Sequence, residues 1–315
     1  MRFTRAWAVL VIALAGCGLM ACQPPEPEGP VETPTETPAT EPVETGVVEV
    51  TLEDYSFLAP PRLRSGWTTF RMTNNGEQPH FMLFWRLPEG KTFDEYAAEV
   101  SQPFQQEFDR FYAGEVSRDE MLANVAGRLP EWFGSVEGMG GVGLTSPGRT
   151  SETTVLLEPG DYVMECYVIS PEGKFHGSLG MLRPLIVDPE STGMEVPEWD
   201  IHISLSNYVM SVEGETLAGE HTVAVHATEN AEGLIGHDVH LARLEADTSI
   251  EELVEWMSWI EALRPPVPAA EFLGGADHLT AGRTSYFTVT LEPGRYAWIS
   301  EGFASAGMIE EFVVE

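Results

Sequence analysis

Cysteine is scarce in this chain. Three are present in 315 residues, and two of them, Cys17 and Cys22, lie within the first 22 positions. The rest of the chain holds Cys166 alone, which excludes a framework of internal disulfides. Such a solitary thiol is buried and inert, paired with another molecule, or bound to something. Positive charge is scarce too: 17 Lys and Arg stand against 50 Asp and Glu, a net charge of −33. That balance argues against nucleic acid as a partner. It fits a solvated surface suited to salty water or, more sharply, electrostatic docking to a basic partner. Long apolar runs are missing as well. The apolar stretch near the start, residues 6–16, falls short of the roughly 20 residues a membrane helix needs, and no later stretch is long and apolar enough. No phosphate loop, Ser-His-Asp pattern or paired-carboxylate motif stands out.

The N-terminus reads MRFTRAWAVLVIALAGC, with Arg2 and Arg5 ahead of the short apolar run. This is the shape of a secretory signal and is set aside from fold reasoning. Leu14-Ala15-Gly16-Cys17 resembles the bacterial lipoprotein signal, in which the Cys is lipidated and becomes the first residue. Cys22 is a second candidate, so residues 1–22 form the expected signal region, with Cys17 favoured. Gly18 in place of Asp leans towards the outer membrane. Residues 23–46 are dominated by Pro, Glu and Thr. Such a segment buries too little apolar surface to fold, and its prolines make it an extended spacer. The expected localisation is the bacterial cell envelope, with the protein lipid-anchored on the periplasmic side or the cell surface.

The remaining chain, about 270 residues, is long enough for two domains, and it repeats itself. GRTSETTVLLEPGDY (148–162) returns as GRTSYFTVTLEPGRY (282–296), an offset of 134. His80 with RLPEGKTFDE matches His237 with RLEADTSIEE at an offset of 157. VEVTLEDY (48–55) matches IHISLSNY (201–208) at an offset of 153. Preserved order with changing offset means two copies that differ by insertions in loops. The first copy is placed at 47–188, a connector at 189–199 and the second copy at 200–315. Alternation such as Val48, Val50 and Leu52 against Glu49, Thr51 and Glu53 predicts strands, and Pro159-Gly160 a turn between two of them. Many short strands parted by Gly and Pro predict a mainly β fold of two tandem β-sandwiches. Each copy also carries a helical insertion, longer in the first (92–133). Thr92/Glu95 and Ser249/Glu252 predict capping boxes at the helix starts.

Cys166 lies at a strand end and is followed by His176 and, after four more residues, Met181, with Gly180 before it. His80 lies on an earlier strand after the turn NNGEQPH. Two imidazoles and a thiolate define a trigonal plane, and a thioether serves as a weak axial ligand; that is the donor set of a blue-copper electron-transfer site. The stretch YVMECYVISPEGKFHGSLGMLRPLIV (162–187) resembles the cupredoxin, or type 1 copper, family through Tyr162, Cys166, His176, Gly180 and Met181. The His-x4-Met half is plastocyanin-like, and the longer Cys-to-His loop is similar to that of copper nitrite reductases, with one residue more. The resemblance implies an eight-stranded Greek-key sandwich, one type 1 copper held by His80, Cys166, His176 and Met181, and one-electron transfer. In the family the edge of the loop His is often where electrons enter. The helical insertion makes the stretch between His80 and Cys166 longer than the family usually has; its helices are read as packing on the sandwich edge, with a lid over the copper edge or a partner surface as the alternatives.

In the second copy Ser300 replaces the cysteine, and SEGFASAGM (300–308) has no histidine, although Gly307-Met308 persists. That copy is expected to hold no copper, and to shield the first or present a surface. His237 and His240 suggest zinc, but strand residues three apart point to opposite faces, which argues against it. The leading expectation is thus a lipid-anchored electron carrier with an unidentified redox partner. A copper carrier or storage lipoprotein and a metal-free interaction module are the alternatives. A multicopper enzyme needs a second, histidine-built copper site, for which the other histidines show no motif.

Overall fold

The computed structural model describes residues 46–230, 236–258 and 263–315. The expected signal region, the tether up to residue 45 and both lipidation candidates, Cys17 and Cys22, lie outside the described residues.

Alternation sets the first strand, β1 (Val47–Glu53): Val48, Val50 and Leu52 are buried while Glu49 and Glu53 are exposed. Then come β2 (Ser56–Leu58), β3 (Arg62–Asn74) and β4 (His80–Arg86). After the helical insertion follow β5 (Glu137–Thr145), β6 (Thr150–Leu157), β7 (Gly160–Glu165) and β8 (Leu182–Ser191). A second set begins with β9 (Ile201–Ser206), β10 (Val209–Glu213), β11 (Gly219–Glu229) and β12 (His237–Leu244). It ends with β13 (Ala270–Leu279), β14 (Thr284–Leu291), β15 (Gly294–Ile299) and β16 (Ile309–Val314).

The two sets pair alike. β1 runs antiparallel to β2 and parallel to β3, as β9 does with β10 and β11. β4 lies between β5 and β7, as β12 lies between β13 and β15. The repeated Leu-Glu-Pro-Gly-x-Tyr locks the same corner in both. Tyr162 Oη donates to the Glu158 carbonyl at 2.7 Å, and Tyr296 Oη to the Glu292 carbonyl at 2.8 Å.

The repeat alone reads as two sandwiches joined by a connector, but the strands pair across the two sets. Val142 of β5 stands opposite Ala276 of β13, and Thr153 of β6 opposite Phe287 of β14. Two layers therefore run through both sets. One is ordered β2-β1-β3-β6-β14-β11-β9-β10 and the other β8-β7-β4-β5-β13-β12-β15-β16. β3 serves both: Leu63 pairs with Val187 of β8, and Phe70 with Thr153 of β6. The larger apolar core follows this continuity, joining Phe70, Phe84 and Met164 to Ala242, Trp256 and Phe272 of the second set. A further core around Ile203, Val225 and Trp298 belongs to the second set. β8 also extends to Ser191, into the stretch read as connector.

The first insertion begins at α1 (Phe93–Tyr96), continues through one π-helical turn (Ala97–Ser101) into α2 (Gln102–Tyr112), and ends in α3 (Arg118–Arg128). The wide turn sits beside Pro103, which has no N–H and whose ring would crowd the carbonyl four residues back. Reciprocal capping boxes start the segment at Thr92/Glu95 and again at Ser117/Glu120. In the second set, α5 (Ile250–Trp256) has half of the expected box. Ser249 accepts from the Glu252 N–H, but its hydroxyl donates to Glu251. α4 (His176–Leu179) is a single turn in the loop after Cys166. Among the described residues no helix is long and apolar enough to cross a membrane.

Candidate metal centre

His80 opens β4, and Cys166 directly follows the end of β7, which pairs with β4. Both residues therefore lie at one end of the same layer. From Cys166 the chain loops out, bridges back at Ile169–Phe175 and winds into α4, whose first residue is His176. The His176 N–H bonds to the Val168 carbonyl at 2.8 Å, which folds the loop onto itself. Gly180 ends the turn at φ +139°, and a Cβ there would sit 2.6 Å from the Tyr55 carbonyl oxygen. Met181 is fully buried and tied by its backbone to Cys166 and His176. Its carbonyl accepts from Cys166 at 3.0 Å, and its N–H donates to the His176 carbonyl at 2.9 Å.

His80, Cys166 and His176 converge. The two Nδ1 atoms are 3.0 Å apart, and Cys166 Sγ lies 3.8 Å from that of His80 and 3.7 Å from that of His176. All three side chains have 0% exposure. A point within this triangle lies roughly 2 Å from every corner, the reach of metal–nitrogen and metal–sulfur bonds of about 2.0–2.3 Å. Two imidazoles and one thiol at these separations fit the trigonal donor set of type 1 copper. Among the described residues this is the one such group of three His, Cys, Asp or Glu donors.

Burial governs the protonation of this centre. It pushes the Cys166 thiol well above its ordinary range. It also lowers His80 against the opposing pull of Asp54, and takes His176, which faces His80, down to about 2. Without a metal the centre is a neutral thiol between two neutral imidazoles, so ion binding must release the thiol proton.

The outer nitrogens are held by residues that the sequence reading missed. Asp54 Oδ1 lies 2.6 Å from His80 Nε2, and Gln78 Oε1 lies 3.2 Å from His176 Nε2. The Tyr55 ring covers His176 with centroids 4.8 Å apart, and its hydroxyl accepts from Gln78 Nε2 at 2.7 Å. The open imidazole edge that the family resemblance implies is therefore not present at His176: the ring is enclosed by Tyr55 and Gln78. The insertion packs on the loop instead of covering that edge. Phe108, Met121 and Val125 form a satellite core with Ile169 and Phe175 of the loop. Gln105 Oε1 accepts from the Phe175 N–H at 2.8 Å, and Lys174 pairs with Asp109 at 2.6 Å. From the second set, Leu263 takes the Ile169 N–H at 3.0 Å and Arg264 donates to the Pro171 carbonyl at 2.8 Å.

At the matching place in the second set, the Ser300 N–H bonds to the Met308 carbonyl at 3.0 Å, the same bond that Cys166 makes to Met181. His237 and His240 go to separate partners. His237 Nε2 reaches the Glu229 carbonyl at 2.9 Å, and His240 Nδ1 accepts from the Leu144 N–H at 3.0 Å.

Compared by sequence, the chain matches no protein-family model and no curated protein. Compared by structure, it is similar to the blue copper protein auracyanin A of Chloroflexus aurantiacus, at 21% identity and a TM-score of 0.28, over 47% of this chain and 100% of that one. It is similar to the auracyanin of Roseiflexus castenholzii at 18% identity and a TM-score of 0.28, over 46% of this chain and 98% of that one. A multicopper oxidase matches at 13% identity and a TM-score of 0.24, over 85% of this chain and 88% of that one.

Proposed function

We propose that this chain is a copper protein of the bacterial cell envelope, lipid-anchored through Cys17, that passes single electrons. The convergence of one thiol and two imidazole nitrogens within 3.8 Å carries this reading. Cys166 Sγ, His80 Nδ1 and His176 Nδ1 would hold the ion, with the Met181 thioether as the weak axial donor. Copper, when bound, supplies reversible one-electron chemistry between its cuprous and cupric states. The residues supply rigidity. The loop of Cys166 and His176 is clamped by Gln105 on one side and by Leu263 and Arg264 on the other, so the ligands are held in one arrangement. Burial excludes water from the donors, and the thiol proton must leave as the ion enters. Tyr55 and Gln78 enclose the outer edge of His176. A net charge of −33 supports a redox partner with a basic face.

The enclosure of both imidazoles also favours a second reading, a copper carrier or store without a redox partner. High cuprous affinity together with failure to oxidise any electron donor separates it from the first. The deciding experiment expresses the chain without residues 1–22 and combines metal analysis with a visible spectrum. One copper per chain and an intense thiolate-to-copper band are expected. A colourless protein whose Cys166 reacts freely with thiol reagents after copper is supplied overturns the copper reading.

A further inference from the structure

The copper reading leaves open what decides which nitrogen each imidazole offers, and whether the two rings are equal. The loops flanking β1 and β4 bear on both. The two Nδ1 atoms point into the centre, and each Nε2 meets a different acceptor: the Asp54 carboxylate at 2.6 Å and the Gln78 amide oxygen at 3.2 Å. We infer that Asp54 and Gln78 are positioning residues that fix both imidazoles as Nε2–H tautomers, and that the charge on Asp54 makes His80 the stronger donor. This rests on the copper reading for its effect on the ion, but the tautomer assignment stands without it.

Neither acceptor is free to turn away. Asp54 Oδ2 accepts from the Glu77 N–H at 2.8 Å, so the carboxylate is held at both oxygens. Gln78 Nε2 donates to Tyr55 Oη at 2.7 Å, which leaves the amide oxygen for His176. The main chain beneath them is pinned by Asn74, whose Nδ2 donates to the Gln78 and Thr145 carbonyls at 2.8 Å each. Gly76 closes the arrangement: a Cβ there would run into the Asp54 carboxylate and lie 3.0 Å from His80 Nε2. A neutral imidazole has one N–H and one lone pair. Once Nε2–H is committed to an acceptor, the lone pair is on Nδ1, facing Cys166 Sγ. A carboxylate acceptor raises the basicity of the ring that donates to it, whereas an amide does so far less. The better donor favours the more highly charged, cupric state.

The test uses the chain without residues 1–22, first empty and then copper-loaded. Nitrogen-15 NMR of the empty protein is expected to show His80 and His176 as Nε2–H tautomers. Asp54→Ala is expected to release His80 into a mixture and leave His176 unchanged. Asp54→Asn retains an acceptor oxygen and loses the charge. On loading it is expected to keep the visible band and lower the cupric-to-cuprous affinity ratio about tenfold, which for one electron is a 59 mV rise in potential. The exposed neighbour change Glu53→Gln is expected to leave the potential in place. An Nδ1–H tautomer at His80 in the wild-type protein overturns the inference. So does a potential in Asp54→Asn that matches the wild type or is equalled by Glu53→Gln. Wild-type protein that takes up no copper sinks the copper reading instead, and the tautomers of the empty chain still decide the positioning role.

Discussion

The Nδ1 atoms of His80 and His176 stand 3.0 Å apart although the two residues are 96 positions apart in sequence. With both Nε2 atoms committed to acceptors, the two Nδ1 lone pairs face each other, and the nearest proton between them is that of the Cys166 thiol. A bound metal ion would accept those lone pairs; three changes probe the proposed site and a fourth the seam between the strand sets.

Cys166→Ser in the copper-loaded protein is expected to abolish the intense visible band. It should also weaken copper binding by more than about 100-fold, beyond what the loss of an outer-shell partner causes. Circular dichroism of the empty variant should match the wild type, since the replacement is close in size at a fully buried position.

Met181→Leu tests the thioether. The swap conserves volume, so unfolding stability should fall by less than about 1.5 kcal/mol. With the thioether as the weak axial donor proposed above, the coloured centre should persist with a raised reduction potential, measured by redox titration.

Gln105→Ala tests the brace. It strips the buried Phe175 N–H of its acceptor, a loss of about 1–3 kcal/mol in denaturant unfolding. Phe175 adjoins His176, so copper should also dissociate faster in a chelator-competition assay.

Glu301→Gln tests the seam between the strand sets. Glu301 is buried near Asp238 and Asp277, and burial first, then those two charges, hold its carboxyl well above its ordinary value of 4.5. A carboxyl raised on folding contributes stability that is complete below that ordinary value. The contribution is lost as pH rises towards the folded value, because the unfolded chain ionises first. The Glu301 contribution should therefore decline from about pH 4 upward, read as the difference between wild type and Glu301→Gln in denaturant titrations. Glu301→Gln should flatten that decline and be more stable at neutral pH. The amide still offers Tyr167 Oη the oxygen that Glu301 now presents at 3.1 Å.

The three inner donors were legible because the loop from Cys166 to Met181 resembles that of a known family and because thiol and imidazole are the donors copper takes. Thr92 and Glu95 likewise announced their helix through a purely local bond pair. Asp54, Tyr55 and Gln78 were not legible in the same way, since their contacts with the imidazoles depend on loops brought together only in the folded chain. One signal was available: Gln78 lies two residues before His80, the spacing that puts side chains on one face of extended backbone. The shared layers were hidden for a related reason. β5 is buried along nearly its whole length, as expected of a strand with neighbours on both sides, but its run of Gly138, Gly140, Gly141 and Gly143 carries no alternation to show it. The contact of Gln105 with Phe175 joins two polar-looking segments that sequence spacing does not connect.

The pairing of β5 with β13 and of β6 with β14 bears on why a set lacking the thiolate persists at all. Cut the chain between the sets and both β5 and β6 become bare margins, each a ladder of unsatisfied amides, the first with no charged side chain after Glu137. Such margins recruit other chains. The set without the thiol thus acts as a hem for the set that carries Cys166, and a shortened protein prepared for spectroscopy should clump before its centre can be assayed.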